Sequence, residues 1–149
     1  MPKANPDAED TLEQATIALF ASLGWRTVNA YDETYGPAGT LGRASRSEPL
    51  LPRELRAALT KLNPGLPSPA IDAAVEELSR DRGVLGLVQA NRAVYGLLKD
   101  GIRVLVEGDD GDQRVETVRV IDWATPANNA FLLVSQLWIT GAMHTRRAD

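Results

Sequence analysis

The feature that most constrains this chain is the run at 131–139, FLLVSQLWI, close to its C-terminal end. Phe131, Leu132, Leu133, Val134, Leu137, Trp138 and Ile139 make it apolar on both faces, and only Ser135 and Gln136 interrupt. A stretch of this length, rich in β-branched and aromatic residues, reads as a central strand covered on both sides. Asn128-Asn129 before it and Thr140-Gly141 after it are breaker signals, which favour a strand over a buried helix. Gln136 carries an amide in this apolar setting, and leaving it unpaired would cost about 1–3 kcal/mol. It therefore needs a partner, either in a neighbouring loop or in a cleft.

The preceding sequence has the elements to cover such a strand. Ile102, Val104 and Val106 alternate on one strand and Val118, Val120 and Asp122 on another, with Asp109-Asp110-Gly111-Asp112 as the turn of a β-hairpin. Upstream of the hairpin the period is helical. Thr11 with Gln14, and Asp10 with Glu13, have capping-box spacing. Leu12, Ala15, Leu19, Phe20 and Leu23 follow as a buried stripe, and Gly24 stops the helix. Glu13 sits beside Ile17 and Phe20 at the border of that stripe, where it suits the positive end of the helix. A second helix opens at Pro52, carries Leu55, Ala58, Leu59 and Leu62, and ends at Asn63-Pro64. A third opens at Ser68-Pro69 with Ile71, Val75 and Leu78 inward. A fourth, about 88–99, buries Val88, Val94, Tyr95 and Leu98. The fold class is α+β: four N-terminal helices followed by a β-hairpin and a central strand, the helices on one side of the sheet.

Residues 1–10 read as a disordered lead-in. Residues 25–51 are polar and Gly-rich, and too long for an idle connection, so they form a functional or partly mobile loop. Arg43 and Arg46 on that loop are either solvated charges or phosphate contacts. At 149 residues the chain suits one domain, with 44% apolar and 24% charged content. A net charge of −4 argues against a strongly basic, non-specific nucleic-acid binder, although a local patch remains open. No apolar run reaches the roughly 18 residues of a membrane helix, and the N-terminus has no signal-peptide core. The absence of cysteine removes disulfides and thiolate metal sites, and fits a cytoplasmic protein. His144 is the only histidine, so no histidine triad or cluster forms within one chain.

Several of these segments, in order, resemble the N-terminal nuclease region of the R subunit of type I restriction–modification enzymes. They are Glu13 and Ile17 ahead of Leu23-Gly24-Trp25, Gly42-Arg43, the link 62–67 (LNPGLP), and Asn91 with Leu98, Asp100 and Gly101. Asn128-Asn129-x-Phe131, Val134-x-Gln136 and Arg147-x-Asp149 complete the series. The family usually closes the last motif with Arg-Pro-Asp, and here Ala148 stands in the proline position. The resemblance implies that residues 11–149 are the N-terminal part of an endonuclease domain with an incomplete PD-(D/E)xK core. It implies Asp149 and Glu13 as catalytic, Mg²⁺-binding carboxylates, with Gln136 pointing toward the cleft beside Asp149. Double-stranded DNA would be contacted by Arg43, Arg46, Arg146 and Arg147.

Nucleases of this kind pair the first Asp with an acid-x-Lys motif on the next strand, and none of Lys3, Lys61 and Lys99 has an acid two residues earlier. The chain is therefore expected to stop before the second half of the catalytic motif and to be inactive alone. No G-x4-G-K-[ST] phosphate loop is present, so ATP binding belongs to the motor region of a full subunit. Methyltransferase and specificity subunits are the partners the resemblance implies. The competing expectation is a non-catalytic DNA- or protein-binding module, or a degenerate remnant of the family.

Overall fold

The computed structural model describes residues 6–141 and 144–148. Its α+β content is as expected, and the chain divides into two compact units. One joins the two chain ends, Met1–Pro49 with Ala130–Asp149; the other is Leu50–Asn129.

The unit built from the chain ends begins with α1 (Pro6–Ser22), which starts ahead of the capping boxes. The strands β1 (Arg26–Asn29) and β4 (Leu132–Ser135) pair in parallel, Arg26 opposite Leu132 and Asn29 opposite Ser135. β5 (Leu137–Thr140) and β6 (Thr145–Ala148) pair antiparallel, with Trp138 opposite Arg147 and Ile139 opposite Arg146. Phe20 packs edge-on against Trp25 at 4.7 Å between ring centroids, and Trp25 stacks on Phe131 at 4.9 Å. That aromatic row decides which face of α1 turns inward. Glu13, Ile17 and Phe20 are half-buried, while Leu12, Leu19 and Leu23 of the expected stripe are exposed.

The apolar run is not one central strand. It breaks at Gln136, whose φ of +58° is a left-handed conformation unusual for a residue other than glycine. The break ends pairing with β1 and starts pairing with β6. Each half thus has one partner among the described residues, and its apolar side chains stay half-buried or, for Phe131 and Ile139, exposed.

Residues 30–48, within the 25–51 segment expected to be a functional or partly mobile loop, are held by a dense set of bonds. Thr34 and Thr40 exchange main-chain and hydroxyl hydrogen bonds, and Gly36 donates its N–H to the Arg43 carbonyl at 2.7 Å. At Gly39 a Cβ would stand 2.2 Å from the Thr34 carbonyl oxygen, so no other residue fits without moving the backbone.

The second unit contains α2 (Pro52–Leu62), α3 (Ser68–Ser79), α4 (Leu87–Asp100) and the hairpin β2 (Ile102–Glu107) with β3 (Gln113–Val118). β2 alternates as expected, with Ile102, Val104 and Val106 buried and the residues between them exposed. They form one core with Leu59, Ala70, Ile71, Ala74, Val75 and Val118. Asn63 locks the end of α2. Its amide donates to Leu59 O and Arg119 O, both at 2.8 Å, and its carbonyl accepts from Arg119 N–H at 2.7 Å, imitating a strand neighbour. The fourth helix departs from its expectation: no α4 residue is buried, and Leu87, Val88 and Tyr95 are exposed.

Candidate functional site

The unit built from the chain ends contains an open cleft of about 450 Å³, lined by Glu9, Asp10, Glu13 and Thr16 of α1, by 133–136 of β4 and the break, and by Arg147 of β6. At its centre Gln136 Nε2 donates to Glu13 Oε2 at 2.8 Å, joining residues 123 positions apart. The left-handed backbone of Gln136 accompanies this contact, so a strained residue and a catalytic candidate coincide. The other carboxylate oxygen, Glu13 Oε1, is buried without a hydrogen-bond partner among the described residues. A buried carboxylate oxygen without a donor is costly, and it suits a hard cation or an incoming donor. Both expected partners of Gln136 thus reduce to one, a cleft carboxylate.

Asp149, the other expected carboxylate, lies outside the described residues. Among the described residues, no group of three or more His, Cys, Asp and Glu side chains is arranged to hold a metal ion.

The four arginines separate into two kinds. Arg43 is fully buried, which corrects its reading as a phosphate contact. Its guanidinium is occupied from three sides: Nε donates to Glu33 Oε1 at 2.9 Å and Nη2 to Glu33 Oε2, Nη1 donates to Glu48 O at 3.0 Å, and Nη2 also donates to Trp138 O at 2.9 Å. The hydrogen bond to the Glu33 carboxylate holds the Arg43 pKa above its ordinary value, against the opposing effect of burial. Arg43 therefore ties the 30–48 segment to β5. Glu33 was not singled out from sequence, and an acid ten positions before an arginine is no signal on its own.

Arg46, Arg146 and Arg147 are exposed. Arg46 Nε donates to the Tyr35 hydroxyl at 3.1 Å, and its Cζ lies 4.9 Å from the centroid of the Trp138 ring. Arg147 Cζ lies 5.7 Å from that ring and 5.8 Å from the Tyr31 ring. Arg146 faces away from Trp138 on β6, opposite Ile139.

In the other unit Asp122 organises the segment after the hairpin. Its carboxylate accepts from Asn128 Nδ2 and Thr125 N–H, both at 2.9 Å. Asn129 in turn accepts from Asp122 N–H at 2.8 Å and donates to Asp122 O at 3.0 Å. These contacts hold the Asp122 pKa below its ordinary value, the Asn128 hydrogen bond being the largest cause and the Thr125 bond the next. The Asn-Asn pair, expected as a breaker, thus has a second task as the bracket of a loop carboxylate.

The chain matches the sequence family described as type I restriction enzyme R protein N terminus over residues 7–149. It is 36% identical over 131 residues to the type I restriction enzyme HindI endonuclease subunit of Haemophilus influenzae, covering 88% of this chain and 12% of that protein. The chain therefore spans about an eighth of the length of that relative. No solved structure matches it.

Proposed function

Because the chain belongs to the family of type I restriction enzyme R protein N termini, we propose that it forms part of the DNA-cleaving module of such a subunit. The observation that carries this reading is the Glu13–Gln136 contact in the cleft, with its one buried, unpartnered carboxylate oxygen. Glu13 and Asp149 would be the ligands of Mg²⁺, which when bound would polarise a scissile phosphate and activate water. Gln136 occupies one oxygen of Glu13 and leaves the other for that role. The donor chemistry fits, with Glu13 supplying one hard oxygen of a set that the described residues do not complete.

The substrate of the full subunit would be unmethylated foreign double-stranded DNA, contacted here by Arg46, Arg146 and Arg147. ATP-driven translocation would reside in the rest of the subunit, acting with methyltransferase and specificity subunits in the cytoplasm. No helix among the described residues is long and apolar enough to cross a membrane. The chain alone would not cut DNA, since its sequence contains no acid-x-Lys motif. A binding module without catalysis is the competing reading, and the exposed Leu12 and Leu19 of α1, with Leu23 just after it, favour it as a docking surface.

Calorimetric titration of the purified chain with Mn²⁺ as a Mg²⁺ surrogate separates the two. The nuclease reading expects Glu13→Gln and Asp149→Ala each to weaken binding by at least about tenfold. Wild-type affinity in both variants, or no binding by the wild type, would favour the binding module.

A further inference from the structure

Trp138 stands between the two exposed arginines of the proposed DNA surface. On β5 it lies directly opposite Arg147, and the guanidiniums of Arg147 and Arg46 lie 5.7 and 4.9 Å from its ring centroid. Tyr31 extends the row beneath Arg147, and the Tyr35 hydroxyl holds Arg46 Nε. Two cations and three aromatic rings thus form one connected surface in a chain whose net charge is −4. The backbone of this platform is fixed from below, since the carbonyl of Trp138 accepts from buried Arg43 and Thr140 N–H donates to Arg46 O at 2.9 Å.

A guanidinium lying over an aromatic ring uses its π face for that contact, while its N–H donors lie in its own plane and point sideways. Such an arginine has lost much of its rotamer freedom before a ligand arrives, which lowers the ordering cost of gripping an anion. We propose that Trp138 is the positioning residue of a two-arginine clamp for the phosphate backbone of DNA. The ring holds Arg46 and Arg147 in place for phosphates beside the cleft, which Arg147 also lines. The clamp rests on the DNA reading given above and adds to it the residue that makes two surface charges a built site. Trp138 acts through the arginines and reads no base, so binding by the clamp is independent of sequence.

The test is binding of a fluorescent duplex oligonucleotide of arbitrary sequence, followed by anisotropy across a range of NaCl concentrations. Each phosphate contact contributes about 0.9 to the slope of log K against log salt. Arg46→Ala and Arg147→Ala are each expected to lower the slope by about that amount. Trp138→Leu keeps both charges, so it is expected to weaken binding roughly 2- to 5-fold with little change in slope. Trp138→Phe retains a ring and should recover most of the affinity. Arg46→Lys and Arg147→Lys keep charge without the planar group, and should weaken binding even if Trp138→Leu is poorly folded. Arg103→Ala, an exposed arginine of the other unit, serves as the control with unchanged binding. Wild-type binding whose slope and strength are indifferent to the Arg46, Arg147 and Trp138 changes overturns the clamp alone. Absence of duplex binding by the wild type removes both the clamp and the DNA reading beneath it.

Discussion

Arg43→Ala tests the bracket on which the site is mounted. The Arg43 and Glu33 side chains are 0% and 2% exposed, so their charges have almost no access to water. Alanine would leave the Glu33 carboxylate without its counter-charge and the carbonyls of Glu48 and Trp138 without a donor. Removing one partner of a buried pair costs about 3–5 kcal/mol, because the remaining charge is stranded. Summing the separate hydrogen bonds would exceed this, but water entering the vacated volume satisfies part of the loss, so the pair value is the better guide. For a protein of this size the melting temperature should fall by roughly 6–20 °C. The pair is charged through the neutral range on the arginine side, since Glu33 raises the Arg43 pKa still further, so raising the pH toward 9 does not abolish its contribution. The double variant Arg43→Met, Glu33→Leu removes both charges and should melt above Arg43→Ala. Thermal unfolding followed by circular dichroism reads both. An Arg43→Ala protein melting within about 2 °C of the wild type would refute the bracket.

Further outcomes follow from other parts of the molecule. Gln136→Gly should be about 1 kcal/mol more stable than Gln136→Ala in urea unfolding, since both lose the Glu13 contact but only glycine takes the left-handed φ without strain; equal stability would show that the backbone is unstrained. Leu59→Ala should cost about 2–5 kcal/mol and Leu12→Ala under about 0.5 kcal/mol, whereas two leucines in equally buried stripes would cost about the same. Asp122 has a depressed pKa, so its contribution is complete above the ordinary carboxylate value of 3.8 and is lost as the pH falls through its lower folded value. Asp122→Asn should therefore flatten the acid limb of the stability profile, and an unchanged limb would remove Asp122 from the account. Asn63→Ala strands the Arg119 N–H and carbonyl and should destabilise by about 1–3 kcal/mol in the same assay.

What was legible in the sequence were the elements with strong local signals. The second and third helices and the first hairpin strand carry clean periods and appear where expected, whereas the second hairpin strand, expected on Val118, Val120 and Asp122, follows the turn directly as Gln113–Val118 and leaves Val120 and Asp122 beyond it. The first helix was legible as a helix but not in its orientation. Its periodicity contains two adjacent apolar stripes, and only the Phe20–Trp25–Phe131 row, closed by residues 106 positions apart in the case of Trp25 and Phe131, selects between them. β1 is four residues long without alternation, and it exists as a strand through its parallel partner β4. The break at Gln136 is a backbone event: Ser135 and Gln136 interrupt the apolar run in sequence, but side-chain periodicity does not record a left-handed φ. Of the site, Glu13 was indicated only by the family resemblance and Gln136 by its polar side chain in an apolar run, and a hydrogen bond joins the two. Arg43 was visible as a charge, but burial is a property of the surrounding fold, and its partners come from positions 33, 48 and 138.

The most direct test of the proposed role is cleavage of unmethylated duplex DNA in Mg²⁺ by a type I restriction R subunit that carries this chain, assembled with the methyltransferase and specificity subunits proposed as its partners. Glu13→Gln and Asp149→Ala are each expected to abolish cleavage while ATP hydrolysis continues at the wild-type rate. Cleavage at the wild-type rate in both variants would contradict the assignment of this cleft as the place where DNA is cut.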